Sequence, residues 1–356
     1  MKINFVIPPI GESGGINIIQ RYASELTKRG HDVQIYLPLT GVFPDRYATK
    51  VQNFVYSSYC FIKALIGWVG DRDNRGRRIL RCNNYFIRKA DVTIATAWPT
   101  AYLVAKLNKN KGEKYYFIQD FEVWDNKKRG LGSYRLPLKH IVISDWINQQ
   151  VAMNLDLPPA QVVYDGLDIP SSQVVLNTKR DPFSVLMLNH TLEKKGVEFG
   201  LKAFRIAKKV IPELHLTMFG MSDSSNLPDD MDIEYHRNPS KLELSELYAK
   251  NSIFLFPSIE EGWGLTPLEA ISFGEVVVGT SAGFAHDLGM SGYNMLISKP
   301  KDSQRMAEQL IEVVKNTKLK DEIQSHGREL AKALSWDRST SRFEQILSDT
   351  LEKRER

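Results

Sequence analysis

No run of apolar residues in this chain of 356 approaches the roughly 20 that a membrane-spanning helix needs. Cysteine is scarce. Cys60 and Cys82 have neither a metal-ligand spacing nor a disulfide framework, so a reducing cytoplasm is the expected compartment. A leader peptide is not expected, because Met1 to Ile7 reads as a strand running at once into Pro8-Pro9. No G-x-G-x-x-G follows that strand, which argues against a nicotinamide dehydrogenase. Internal repeats and low-complexity tracts are absent. Asp71-Arg72-Asp73 and Asp230-Met231-Asp232 are spaced like metal-binding acid pairs. With 42 acidic residues such spellings arise by chance, and neither follows a strand, so no metal is expected.

What is present describes a soluble globular protein, 42% hydrophobic and 25% charged, long enough for two domains. The net charge of +5 is modest but uneven. Between Asp71 and Lys89 lie Arg72, Arg75, Arg77, Arg78, Arg81 and Arg88 against two aspartates, just after the apolar, Trp-containing segment Phe61 to Val69. Residues 61–89 read either as peripheral contact with an anionic membrane face or as a core helix followed by a solvated loop. Nucleic acid is not an expected partner, since no recognised fold or stacking motif surrounds the arginines.

The organising stretch is Ser252 to Gly279. Ile253 to Phe256 is too short for a helix and suits a buried parallel strand. Glu260, Glu261, Gly262, Trp263 and Gly264 form a glycine loop able to approach a ligand closely. Thr266 reads as an N-cap with Pro267 at the first helical position and Glu269 three residues after the cap. The helix stops at Gly274 and Val276 begins the next strand. Strand, glycine loop and helix start make an anion site at the carboxyl edge of a parallel sheet. Thr266 and Glu269 also spell a capping box, which accounts for Glu269 without a ligand, and Glu260 with Glu261 also fits a solvated acidic loop.

Glu261 and Glu269 stand in the E-x7-E spacing of retaining glycosyltransferases with the two-domain GT-B fold, and the segment resembles glycosyltransferase family 4, the group 1 glycosyl transferases. The resemblance implies that Glu261 sits near the transferred sugar, that Gly262, Trp263, Gly264, Leu265 and Thr266 hold the diphosphate, and that Glu269 binds the nucleotide ribose. Further matches run along the chain. Gly14 and Gly15 precede an early helix as the family's Gly-Gly loop does, facing donor phosphate or acceptor. Gln119-Asp120 ends a strand where relatives carry His-Asp, which gives Asp120 a role toward a sugar hydroxyl or the acceptor proton; Asp120 also reads as a cap for the next segment of chain. Lys195 matches the family's phosphate-binding lysine, with Lys194 beside it, but His190 stands where an arginine is usual. Lys195 can also be read as a solvated lysine at a helix start. Gly220 closes a strand where the nucleotide base is expected. Asp165-Gly166-Leu167-Asp168 resembles the interdomain turn, with Asp165 in the place of asparagine.

The expected fold is α/β: two Rossmann-like doubly wound domains facing a central cleft. Residues 1–169 form an N-terminal acceptor domain and 170–335 a nucleotide-sugar domain, while 336–356 form a helix crossing back to the first. The expected activity is transfer of a hexose, with retention, from a nucleotide diphosphate-sugar to a glycan or lipid-linked acceptor in the assembly of O-antigen, capsule or another surface polysaccharide. UDP and dTDP are the expected donor nucleotides, with rhamnose or a hexose such as galactose as the sugar. The expected place is the cytoplasm, at the inner face of the plasma membrane if the basic segment touches lipid. Two rivals stay open. One is a GT-B nucleotide-sugar epimerase or phosphorylase; the other is a non-catalytic sugar-binding subunit, suggested by His190 and the missing histidine before Asp120.

Overall fold

The computed structural model describes residues 1–9, 14–42, 75–170, 179–225 and 227–355, with a few positions between 51 and 62. Residues 63–74, which carry much of the expected membrane-facing segment and the first acid pair, lie outside the described residues. The chain divides into two compact units, Met1–Asp165 with Trp336–Arg356, and Gly166–Ser335. The division falls a few residues ahead of the expected point. Leu167 explains it: its N–H donates to the Leu334 carbonyl at 2.7 Å and it bridges to Ser335, tying the two ends of the second unit together.

Unit 1 runs β1 (Lys2–Val6), α1 (Gly14–Lys28), β2 (Asp32–Thr40), β3 (Gly76–Arg81), β4 (Val92–Ala95), α2 (Trp98–Ala105), β5 (Glu113–Ile118), α3 (Lys127–Ser133), β6 (Lys139–Val142), α4 (Asp145–Leu155) and β7 (Gln161–Val162). Its strands form one sheet in the order β3-β2-β1-β4-β5-β6-β7, and every pairing is parallel. The order reverses between β1 and β4. Chains leaving those two strands turn to opposite faces and open a crevice at their carboxyl ends.

Unit 2 runs β8 (Ser184–Leu188), α5 (Val197–Val210), β9 (His215–Gly220), β10 (Ile233–Arg237), α6 (Lys241–Lys250), β11 (Ile253–Phe256), α7 (Leu265–Phe273), β12 (Val276–Thr280), α8 (Phe284–Asp287), β13 (Leu296–Ser298), α9 (Ser303–Lys315) and α10 (Thr317–Ala333). The strand order is β10-β9-β8-β11-β12-β13, again all parallel, with the reversal between β8 and β11. All of β11 and β12 is buried, as strands covered on both faces must be, which is why they read as continuous apolar runs. The core joins these strands to Leu201, Phe204 and Ala207 of α5 and Met306 and Leu310 of α9.

The last helix, α11 (Trp336–Glu355), belongs to unit 1. Its Phe343 is fully buried and packs on Phe5, Tyr22 and Phe117, with ring centroids 4.9–6.3 Å apart. Among the described residues no helix is long and apolar enough to cross a membrane.

Three elements differ from the expectation. Residues 76–81 form an edge strand within the segment read as a basic loop; only Ile79 of its side chains is buried, and an edge tolerates outward arginines. The short helix α3 was not expected. Helix α7 begins at Leu265, with Gly264 rather than Thr266 as its N-cap. Gly264 has φ +86°, which lets the chain turn into the helix two residues before the capping-box spelling.

Candidate active site

The two loops that leave unit 2's sheet at the β8/β11 reversal are bound to each other. The carbonyl of Lys194 accepts from the backbone N–H of Ile259 at 2.7 Å and of Glu260 at 3.3 Å. Gly196 makes this approach possible. Its φ is +62°, and a Cβ there would lie 2.1 Å from the Pro257 carbonyl oxygen. The loops thereby bring Lys195 to Glu261, with Nζ donating to Oε2 at 2.5 Å. Both side chains are largely withdrawn from water, at 18% and 16% exposure, so Lys195 is not a solvated helix-start lysine. Glu260 beside it is exposed, so the two acids of this loop have different settings.

His190 completes this group. Its Nδ1 accepts from the Leu192 N–H at 3.0 Å, which leaves Nε2 to carry the proton of the neutral ring. Burial, then the charge of Lys195 with a lesser contribution from Lys194, holds its pKa below the ordinary histidine value, while Glu261 pulls the other way. His190 is therefore a neutral hydrogen-bond donor near neutral pH and not a substitute cation.

The capping-box account of Glu269 does not survive. The helix it would cap starts earlier, Gly264 offers no side-chain cap to the first-turn amides, and the Glu269 carboxylate instead accepts from the Tyr248 hydroxyl at 2.9 Å. Burial pushes the Glu269 carboxyl above its usual range and the Asp168 charge adds to this, against the Tyr248 hydrogen bond. Tyr248, on α6, is itself locked by stacking on Phe273, with centroids 5.5 Å apart. Trp263 and Gly264 are buried, and the Trp263 carbonyl accepts from Phe284 N–H at 2.6 Å, which fixes the loop from its far side. Leu265 and Thr266 occupy the first turn of α7, half-buried. Gly220 ends β9, pressed against the Asn189 carbonyl, so packing alone already demands a glycine there.

In unit 1, Gly14 and Gly15 are the first residues of α1 rather than a preceding loop. A Cβ on Gly15 would lie 3.3 Å from the Gln119 side chain, which brings the start of α1 against the residue that follows β5. Asp120 is half-buried and accepts from the next residue's N–H, Phe121, at 2.9 Å. It caps no helix. The cap of α3 is Asn126, which accepts from Arg129 N–H at 3.1 Å. The second acid pair is also accounted for: Asp230 accepts from Arg205 at 2.8 and 2.9 Å. Among the described residues no group of three or more His, Cys, Asp or Glu is placed to hold a metal.

Sequence reasoning missed Tyr248, Gly196 and Glu122. Gly196 could have been found as the glycine directly after the candidate lysine. Tyr248 looks like one more apolar residue of its helix, and Glu122 like one more loop acid, so nothing local marks either.

Residues 168–330 match the family model described as Glycosyl transferases group 1. The GtfA subunit of the UDP-N-acetylglucosamine–peptide N-acetylglucosaminyltransferase of Streptococcus pneumoniae is 26% identical over 137 residues, 36% of this chain and 26% of that protein. The capsular polysaccharide biosynthesis glycosyltransferase CapM of Staphylococcus aureus is 21% identical over 180 residues, 47% of each chain. The chain spans about a quarter of the length of the curated relatives it matches first. Among solved structures, HepE of Anabaena in complex with UDP and glucose is similar with a TM-score of 0.70 at 16% identity, over 98% of this chain and 100% of that one. The fold is therefore that of its GT-B structural neighbours, two parallel Rossmann-like sheets with interleaved helices, and the match to the group 1 model lies within unit 2.

Proposed function

We propose that this protein is a retaining glycosyltransferase of family 4 type, moving a sugar from a nucleotide diphosphate-sugar held by unit 2 to a glycan or lipid-linked acceptor. The observation that carries the reading is the Lys195–Glu261 pair at the strand-order reversal, beside a helix start without a side-chain cap. A parallel sheet binds its ligand at such a reversal, and a helix start with a lysine suits a diphosphate.

In this reading Lys195 exchanges its carboxylate partner for phosphate when the donor binds. As the bond from the anomeric carbon to the diphosphate breaks, negative charge grows on the leaving oxygen. Lys195, the His190 Nε2–H and the amides of Gly262 to Leu265 meet that charge, and groups aimed at developing charge lower the barrier most. Glu261, released by Lys195, is left to the sugar's hydroxyls or to its cationic character. Glu269 takes the ribose hydroxyls, where a carboxylate accepts two of them at once. Asp120 of unit 1 receives the acceptor proton. UDP is the favoured nucleotide, supported by the relatives whose names include UDP, and CapM supports a surface polysaccharide as the product. No metal is required by this scheme, and peripheral membrane contact through residues 61–89 remains part of the proposal.

A melting panel of UDP, dTDP, GDP and ADP with their sugars tests the donor, because a ligand held by the native state at a hundred times its Kd adds about 2.7 kcal/mol. UDP or its sugars should raise the Tm, and Lys195→Ala should weaken that binding at least about tenfold, the loss of one charged hydrogen bond. A panel in which no nucleotide shifts the Tm ends the reading. The anomeric configuration of the product, read by NMR, decides retention; an inverted product would remove that part alone.

A further inference from the structure

The loop between β5 and α3 carries, beyond Asp120, a group of side chains that the proposed mechanism does not use. Between β5 and α3 the chain makes two i-to-i+2 turns in succession, Val123 N–H to Phe121 carbonyl at 2.8 Å and Asn126 N–H to Trp124 carbonyl at 2.7 Å. Asp125, between the last two, sits at φ +61°, a conformation that costs a non-glycine residue energy and persists only where its surroundings impose it.

Glu122 anchors the start of this turn. Its carboxylate, 4% exposed, accepts from the Trp98 backbone N–H at 3.0 Å and from the Trp124 indole N–H at 2.9 Å, while its own N–H donates to the Tyr134 hydroxyl at 2.9 Å. The Glu122 carbonyl presses on α3 so closely that a Cβ on Gly130 would lie 2.0 Å from it. Trp98 lies 5.7 Å from Trp124, ring to ring, and Arg129 covers the far side of the cluster, 5.9 Å from the Trp98 ring and 5.0 Å from Tyr102. A buried carboxylate is expensive to keep dry. Here it orients one indole that stays partly exposed, in the loop that leaves the carboxyl end of β5.

We propose that this turn is a saccharide subsite for the acceptor, in which the Trp124 indole is the stacking face, Glu122 is the positioning residue that aims it, and Gln119 and Asp120 supply polar partners for hydroxyls. A sugar ring presents an apolar C–H face edged by hydroxyls. A rigid aromatic plane beside amide and carboxylate groups matches that pattern, and holding the plane in advance removes an ordering cost from binding. The assignment rests on the glycosyl-transfer reading for the acceptor role, but the site itself is testable without it.

The test titrates the methyl glycosides of glucose, galactose, mannose and N-acetylglucosamine into the full chain, following the tryptophan indole N–H signals by NMR. At least one glycoside should move the Trp124 signal in a saturable way. Trp124→Ala should abolish that binding, Trp124→Phe should recover most of it by restoring a flat face, and Glu122→Gln should weaken it several-fold with the Tm monitored alongside. In transfer assays Trp124→Ala should raise the acceptor KM at least tenfold and leave UDP affinity unchanged. If no glycoside moves the Trp124 signal, or Trp124→Ala binds as the parent does, the subsite is overturned. UDP binding that stays intact shows that the donor reading survives such a failure. Glycoside binding at Trp124 without any nucleotide binding leaves the subsite standing and removes the donor reading.

Discussion

His190 shows what one side chain does to the donor site. It is neutral because burial and its lysine neighbours disfavour the imidazolium. A diphosphate brought against it favours the imidazolium, whose second proton enters at Nδ1 in place of the Leu192 N–H; donor binding that outweighs that lost hydrogen bond takes up a proton and should strengthen as pH falls through the histidine range. UDP-glucose is the probe, since its phosphates do not titrate there; calorimetry should show a slope in the parent and none in His190→Arg. The same variant should bind about tenfold tighter at pH 7.5, the worth of one added charged hydrogen bond. A slope that persists in the variant would assign it elsewhere. Glu269 gives the companion case. Its carboxyl is raised in the fold, so its contribution to stability is complete in acid and is lost as pH rises through the folded value. Glu269→Gln should therefore keep or raise the Tm at neutral pH while costing about tenfold in UDP affinity, measured by the same titration. The sequence pointed to Lys195, Glu261 and Glu269 because they stand where the resemblance to glycosyltransferase family 4 puts its lysine and its two glutamates. It did not point to Tyr248, which meets Glu269 21 residues away only in the fold, or to Glu122, whose bond to the Trp98 N–H spans 24 residues.

Loops and helices follow the same division. The strands β8 and β11 and the helix α5 were readable because burial on both faces, or on one stripe, leaves a continuous or periodic apolar pattern. Strand β3 was not, since one buried isoleucine among arginines makes no pattern at all. The start of α7 was misread because Thr266, Pro267 and Glu269 spell a cap that a better turn at Gly264 pre-empts. Gly196 is the element-scale test of the donor site. Gly196→Ala meets both a positive φ and the Pro257 carbonyl, and should cost about 2–3 kcal/mol with loss of UDP binding. Gly14→Ala, with nothing among the described residues within 4 Å of the added carbon, should change stability by less than about 0.5 kcal/mol. Chemical denaturation of the two variants compares them directly.

Across the whole molecule, the sequence showed two doubly wound sheets and a returning helix, while the places where the chain passes between units were set by contacts it does not spell. Asp165 is the last residue of unit 1 before the first passage, and it is buried. Burial pushes its carboxyl up to about 7, with the Tyr22 hydroxyl working against that. The folded value lies above the unfolded one, so stability falls as pH rises from near 4 toward 7. Asp165→Asn, which restores the amide of the motif this turn resembles, should add roughly 2–4 kcal/mol at pH 8 and almost nothing at pH 4. Equal effects at both values would show that Asp165 titrates normally. The second passage, at Ser335–Trp336, has a consequence for biosynthesis. Unit 2 is an insertion within unit 1, and the ring of Phe343 that closes over Phe5, Tyr22 and Phe117 leaves the ribosome after all of it. At about 5–20 residues per second the wait from Asp165 to Phe343 lasts roughly ten to forty seconds. The domain translated first is the last to be finished, and in that interval its open aromatic face is a natural target for a chaperone.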